Sequence, residues 1–386
     1  MRIGIFSECY NPVLNGVVVS INSFKTELKK RGHEFFIFTT SPLKKGNEEP
    51  DIFRFPIMLP FKPKGGRYPI AWPQSARKVA KIASRLKLDL IHSQHIMGLG
   101  QTGCKVASRL GIPKIITYHT LLAEYAHYVP VFSGLARRYL IAKSRNNCNK
   151  YDQIVTPSPS MAKVLKNYGV NIPIESIATG VTLDDFNKPF TREEIARTWK
   201  VPTDKKLLLY VSRIAKEKNI DFLIASIKRL AKERSDFHLL MIGGGPELGY
   251  YQKTAKNSGL SKTVTFTNMQ PKNQTEKYFG VADIFVFPSY TETQGIVVTE
   301  AMAAGVPAVA VNQMGPSDII KNGVDGFLTN LKVDEFTDRI NHLLDNEALR
   351  KKMGEQAKIN ARNFSTRVCA DKMEELYVKV KNHHRS

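Results

Sequence analysis

Cysteine is scarce: 386 residues carry only Cys9, Cys104, Cys148 and Cys369, with no CxxC pair and no metal-ligand spacing. A disulfide scaffold and a zinc module are excluded on that count, and free thiols in a reducing compartment are expected. No apolar run approaches the ~18 residues that a membrane-crossing helix needs. The chain opens directly on the strand-like MRIGIFS, which reads as a chain without a secretory leader and predicts a cytoplasmic protein. The GxGxxG fingerprint is missing, as are helix-turn-helix, zinc-finger and RNP-type aromatic motifs. Acid is the other shortage. There are 57 Lys+Arg against 35 Asp+Glu, a net charge of +22. Residues 1–190 hold 27 bases against 12 acids, a net of +15, whereas residues 191–386 hold 30 against 23, a net of +7. Asp51 to Asp89 encloses nine bases and no acid, and Tyr125 to Tyr151 a further five. Such a field attracts an anionic membrane face or an anionic polymer. Without a recognition motif, nucleic acid is the poorer partner.

What is present is alternation. Strand-like runs Arg2–Ser7, Phe35–Thr40, Leu88–His92 and Lys114–Tyr118 are separated by helical patterns over Gly16–Arg31, Gln74–Leu86 and Gly98–Leu110. The second half repeats the scheme with strands Lys206–Val211, Phe237–Ile242, Val264–Thr267 and Ile284–Pro288, then helices Val333–Asn346 and Glu347–Asn363. This order predicts an α/β protein with doubly wound parallel sheets, whose ligands bind at the carboxyl ends of strands. The expected domains are 1–180 and 190–364, joined through Thr179–Phe186, with a last helix in 366–386 returning to the first. Phe53–Pro73 reads as a long basic, aromatic loop. Phe132–Lys143 reads as a basic amphipathic helix, either lying on a membrane surface or turning its apolar face to the core.

The chemistry concentrates between Ala282 and Ala308. A strand, the loop Tyr290–Gly295 and a helix starting at Ile296 follow one another, so the first helical N–H groups are unpaired and form a partly positive anion site. Glu292 and Glu300 bracket it with seven residues between them. An anion needs no carboxylates, so the ligand also carries hydrogen-bond donors, for which sugar or ribose hydroxyls are the natural candidates. Arg213 and Lys218, just past another strand, suit a diphosphate. Gly243-Gly244-Gly245 permits approach to a flat base or ribose, Gly16 opens a strand-loop-helix turn, and His119 stands at a strand end in TYHT.

TETQGIVVTEAMAAGVPAVA and SRIAKEKNID resemble the donor-site signature of the family-4 retaining glycosyltransferases of the GT-B fold, and the likeness runs from Arg2 to about Phe364. The resemblance implies two Rossmann-like domains facing across a cleft, acceptor in the first and nucleotide sugar in the second. It assigns Arg213, Lys218 and the N–H groups of Gly295, Ile296 and Val297 to the diphosphate. Glu292 goes to the hexose, Glu300 to the ribose, Gly244 and Met269 to the base, Gly16 to the donor phosphates and sugar, and His119 to the sugar. It implies no metal, no cofactor beyond the donor, and a retained anomeric configuration. Three positions depart from the usual pattern: Asn15 replaces a second glycine, Gly244 an acid, and Gln294 a phenylalanine. TETQG and TYHTLLAEYAHYVP together resemble bacterial diacylglycerol glucosyltransferases. That implies transfer of glucose from UDP-glucose to the 3-hydroxyl of 1,2-diacylglycerol, on the inner face of the cell membrane. Phosphatidylinositol mannosyl transfer and sulfoquinovosyl-diacylglycerol synthesis are the alternatives.

Overall fold

Leu207, Leu209 and Val211 alternate with Leu208 and Tyr210 along one strand, and the two sets are buried in different cores. Successive side chains point to opposite faces of a strand, so this strand is apolar on both. Such strands belong in parallel sheets covered by helices on each side. The computed structural model describes residues 1–13, 15–41, 49–61, 68–71, 75–123 and 133–385. The chain divides into two compact units, Met1–Gly180 with Thr366–Ser386, and Val181–Ser365.

The first unit contains β1 (Arg2–Phe6), β2 (Glu34–Thr40), β3 (Ile52–Phe55), β4 (Ile57–Phe61), β5 (Tyr68–Ala71), β6 (Leu90–Ser93), β7 (Lys114–Thr117), β8 (Gln153–Thr156) and β9 (Ile174–Ser176). Seven of these form a parallel sheet in the order β3-β2-β1-β6-β7-β8-β9. Ile3 and Ile5 face a core shared with Val18, Ile21 and Leu28 of helix Gly16–Lys29. Ala370, Met373, Leu376 and Tyr377 of the last helix, Thr366–Arg385, fill the same core. Phe6 faces the other way, stacked on Phe38 at 4.4 Å between ring centres. Each such side chain contributes roughly 1.5–3 kcal/mol by leaving water.

The expected loop Phe53–Pro73 is corrected by the structure. Phe53–Phe55 lies in β3 on the sheet edge, while β4 and β5 pair antiparallel with Pro60 opposite Pro69. A proline cannot donate to a ladder, but a two-stranded ribbon has open edges on which both are tolerated. Residues 62–67 and 72–73 of that stretch, Trp72 among them, lie outside the described residues, as does 124–132, where the basic helix was expected to begin. The described helix runs Ser133–Cys148.

The second unit contains β10 (Lys206–Val211), β11 (Phe237–Ile242), β12 (Val264–Phe266), β13 (Ile284–Phe287), β14 (Ala308–Val311) and β15 (Gly326–Thr329). They form a parallel sheet ordered β12-β11-β10-β13-β14-β15. The strand order reverses between β10 and β13. At such a switch point the two following loops part, leaving a crevice outside the carboxyl ends of the strands.

Candidate functional site

Both loops at this switch point carry residues singled out by the sequence. After β10 come Ser212 and Arg213, a short turn Lys216–Lys218, and Asn219 in the left-handed conformation (φ 57°) starting helix Ile220–Glu233. After β13 the chain crosses Pro288–Gln294 and enters helix Ile296–Ala303 at Gly295, whose φ of +82° asks for glycine. Three contacts stitch the loops together. Asn219 Nδ2 donates to Pro288 O at 3.0 Å, and Thr291 Oγ1 donates to Glu217 O at 3.1 Å. The Lys218 ammonium donates to Glu292 Oε2 at 2.6 Å. A third segment supports them from behind: Gly315 N donates to Glu292 O at 2.9 Å, and a Cβ at Gly315 would stand 2.2 Å from Gln294 O. The sequence reading missed Asn219, Thr291 and Gly315, whose partners lie far away along the chain.

Arg213 lies 3.8 Å from Glu217, with about a third of its side chain exposed. The first helical N–H groups, at Ile296 and Val297, have no acceptor four residues back in their own helix. Two cations and a helix N-terminus therefore occupy one sheet edge. Glu300 is partly exposed and no hydrogen bond or ion pair of its side chain is found among the described residues. Removal from water pushes its carboxyl up to about 7; Lys272 opposes this, and Glu276 and Asp185 add to it. An unpaired carboxylate in such a place is suited to accept hydrogen bonds from a ligand's hydroxyls.

The run Gly243-Gly244-Gly245, read as making room for a base or ribose, has a different physical explanation at two of its positions. A Cβ on Gly243 would stand 1.8 Å from Ser212 O, and one on Gly245 2.1 Å from Ile214 O. Those glycines are required by the chain's own backbone crossing at that point, which Ser212 N to Ile242 O and Ile214 N to Gly244 O hold together. Gly244 faces Met269, whose Cβ would lie 3.2 Å from an added one. Met269 is 69% exposed and follows Asn268, itself left-handed.

In the first unit Gly16 begins helix Gly16–Lys29, and a Cβ added to it would meet nothing within 4 Å. Asn15, which departs from the double glycine, caps that helix: its Oδ1 accepts from Val18 N at 3.0 Å. His119 follows β7, its Nε2 2.8 Å from the side-chain oxygen of Gln94. Burial, with lesser contributions from His95 and His92, pushes His119 down to about 3, so the ring is neutral near pH 7. Among the described residues no group of three or more His, Cys, Asp or Glu is placed to hold a metal ion, and no helix is long and apolar enough to cross a membrane. The four cysteines are buried and unpaired.

Two family models match the chain: Glycosyltransferase Family 4 over residues 14–185, and Glycosyl transferases group 1 over residues 191–360. The alpha-monoglucosyldiacylglycerol synthase of Streptococcus pneumoniae is 33% identical over 335 residues, which cover 85% of this chain and 75% of the relative. The enzyme of the same name from Acholeplasma laidlawii is 29% identical over 390 residues, covering 98% and 97%. Among solved structures, Anabaena HepE in complex with UDP-glucose superposes with a TM-score of 0.78 at 16% identity, covering 98% of this chain and all of that one.

Proposed function

The chain belongs to the family-4 glycosyltransferases of the GT-B fold, and from that premise we propose that it moves glucose from UDP-glucose onto the 3-hydroxyl of 1,2-diacylglycerol, with retention, at the surface of a membrane. The observation that supports the donor half is the Lys218–Glu292 pair across the switch point, whose two loops also carry Arg213 and the start of the helix that bears Glu300. In this reading Arg213, Lys218 and the N–H groups of Gly295, Ile296 and Val297 offset the charge that grows on the departing diphosphate. Fixed donors stabilise such charge because they need no reorientation as it develops. Glu292 holds hydroxyls of the hexose, Glu300 those of the ribose, and Gly244 with Met269 frames the base. Gly16 approaches the donor, and His119 takes a hydroxyl of the sugar. The bond from C1 to the diphosphate breaks as the bond from C1 to the lipid oxygen forms, and the hydroxyl proton leaves with the diphosphate. The cations and the helix take the place of a metal.

The lipid half is supported by the names of the two synthases and by the surplus of bases in residues 1–190. Helix Ser133–Cys148 exposes Leu135 (64%) and Tyr139 (62%), with the Lys143 ammonium over the Tyr139 ring at 5.9 Å. That arrangement suits the headgroup level of an anionic leaflet. The test is radiolabelled transfer to diacylglycerol in vesicles, comparing UDP-glucose with UDP-galactose and GDP-mannose. The anomeric configuration of the product is read from its proton coupling. A glucolipid with the donor's configuration is expected. Label passing only to water-soluble acceptors would overturn the lipid assignment, and an inverted product the retaining one.

A further inference from the structure

Lys218 and Glu292 are fixed by their backbones and joined by their side chains. Lys218 N donates to Ala215 O at 3.0 Å, and Gly315 N donates to Glu292 O at 2.9 Å. Asn219 Nδ2 to Pro288 O and Thr291 Oγ1 to Glu217 O, at 3.0 and 3.1 Å, hold the two loops together on either side of the pair. With the main chain pinned at both residues, the 2.6 Å contact from the ammonium to Glu292 Oε2 can open by side-chain rotation alone. The side chains are 18% and 23% exposed, so water reaches both. Among the described residues neither charged group has another hydrogen-bond or ion-pair partner. Both residues belong to the unit Val181–Ser365, so whatever the pair does needs nothing from the first unit.

A closed pair of opposite charges is neutral as a whole, and a diphosphate gains little from a cation that a carboxylate already cancels. A hexose brings hydroxyls, which donate hydrogen bonds to a carboxylate and draw it off the ammonium. We propose that Glu292 masks Lys218 in the empty site and that the hexose of an intact nucleotide sugar lifts the mask. The two halves of the donor then bind cooperatively, and the spent nucleoside diphosphate is held weakly once its sugar has gone. This rests on the reading of Lys218 and Glu292 as donor contacts. The coupling is reciprocal: whichever half of the ligand opens the pair spares the other half that cost. Glu292 is thereby a specificity-determining residue for the whole donor against its own leaving group, apart from any hydrogen bond it makes to the sugar.

The test titrates UDP, and separately UDP-glucose, into the full chain without acceptor. The proteins are wild type, Glu292→Gln, Glu292→Asp, Lys218→Ala and Lys218→Ala/Glu292→Gln. Glu292→Gln removes the masking charge, and Glu292→Asp keeps it but draws it back by one methylene. Both should bind UDP about fivefold tighter than wild type and UDP-glucose more weakly, so that the preference for the intact donor collapses. A sugar contact alone would weaken UDP-glucose and leave UDP unmoved. In Lys218→Ala, UDP should bind about tenfold more weakly, and adding Glu292→Gln should then change little. UDP binding no tighter in Glu292→Gln would overturn the mask; should that variant melt far below wild type, Glu292→Asp carries the same comparison. A gain that survives in Lys218→Ala would also overturn it, since that is plain repulsion between carboxylate and diphosphate. UDP binding equal in Lys218→Ala and wild type, or absent from wild type, would instead overturn the donor-site reading on which the mask rests.

Discussion

The Lys218 ammonium and the Glu292 carboxylate stand 2.6 Å apart and tie the loop after β10 to the loop after β13 across the switch point of the second sheet. In the proposed reaction the cation serves a phosphate and the acid serves a sugar hydroxyl. A nucleotide sugar carries those groups on either side of one C1–O bond, so the neighbouring side chains match neighbouring parts of the donor. The pair is about one-fifth exposed on each side and adds on the order of 1 kcal/mol to the empty fold.

Lys218→Ala and Arg213→Ala are expected to lose a hundredfold or more in turnover, because each removes a charged donor from the departing diphosphate, worth about 3 kcal/mol. Calorimetry should find each variant folded, with melting within a few degrees of wild type. Near-normal kcat in either one would remove that residue from the donor site.

Glu300→Gln should separate function from stability. The folded carboxyl is raised from 4.5 to about 7, so its favourable term is complete below pH 4.5 and is lost as pH climbs through 7. At pH 8 the uncharged amide should therefore make the protein more stable than wild type by about 3 kcal/mol, an advantage absent at pH 4. Donor affinity should fall sharply, since the ribose loses an ionised acceptor. In the wild type, donor binding should tighten between pH 6 and pH 8. Denaturant melts at pH 4 and pH 8, and donor titrations at pH 6 and pH 8, check both signs.

Chelation should leave transfer intact. In the proposed reaction Arg213, Lys218 and the helix N-terminus would supply the positive charge that a divalent ion would otherwise bring to a diphosphate. Full loss in EDTA, restored by magnesium or manganese, would contradict this arrangement.

Binding to anionic vesicles is expected to depend on helix Ser133–Cys148. Each base near such a surface contributes about 1 kcal/mol, and the attraction should fade near ~0.5 M salt as the screening length shrinks to about 4 Å. Sedimentation of wild type against Arg137→Glu/Arg138→Glu/Lys143→Glu reads the effect directly. Equal pelleting of the two proteins would take this helix out of the account.

The sequence by itself determined the class of fold and which residue types stand at strand ends. Doubly apolar strands such as Phe237–Ile242 can be buried only between helical layers, and a strand followed by a loop and a helix sets its loop at the carboxyl edge. That is local information, carried by period and spacing, and it was enough to set Glu292, Glu300, Arg213 and Lys218 just past strands. Only the tertiary structure decided what each residue meets. Phe53–Pro73 looked like a loop because prolines break ladders, yet its partners supply open edges where they fit. Gly243 and Gly245 looked like room for a ligand, and the carbonyls of Ser212 and Ile214 fill that room. Lys218 meets Glu292 across 74 residues and Gln94 meets His119 across 25, while among the described residues Glu300 has no hydrogen-bond or ion-pair partner. Pairings of this kind depend on which strands become neighbours, and neighbours in a sheet are chosen by the packing of the whole chain rather than by any stretch of it.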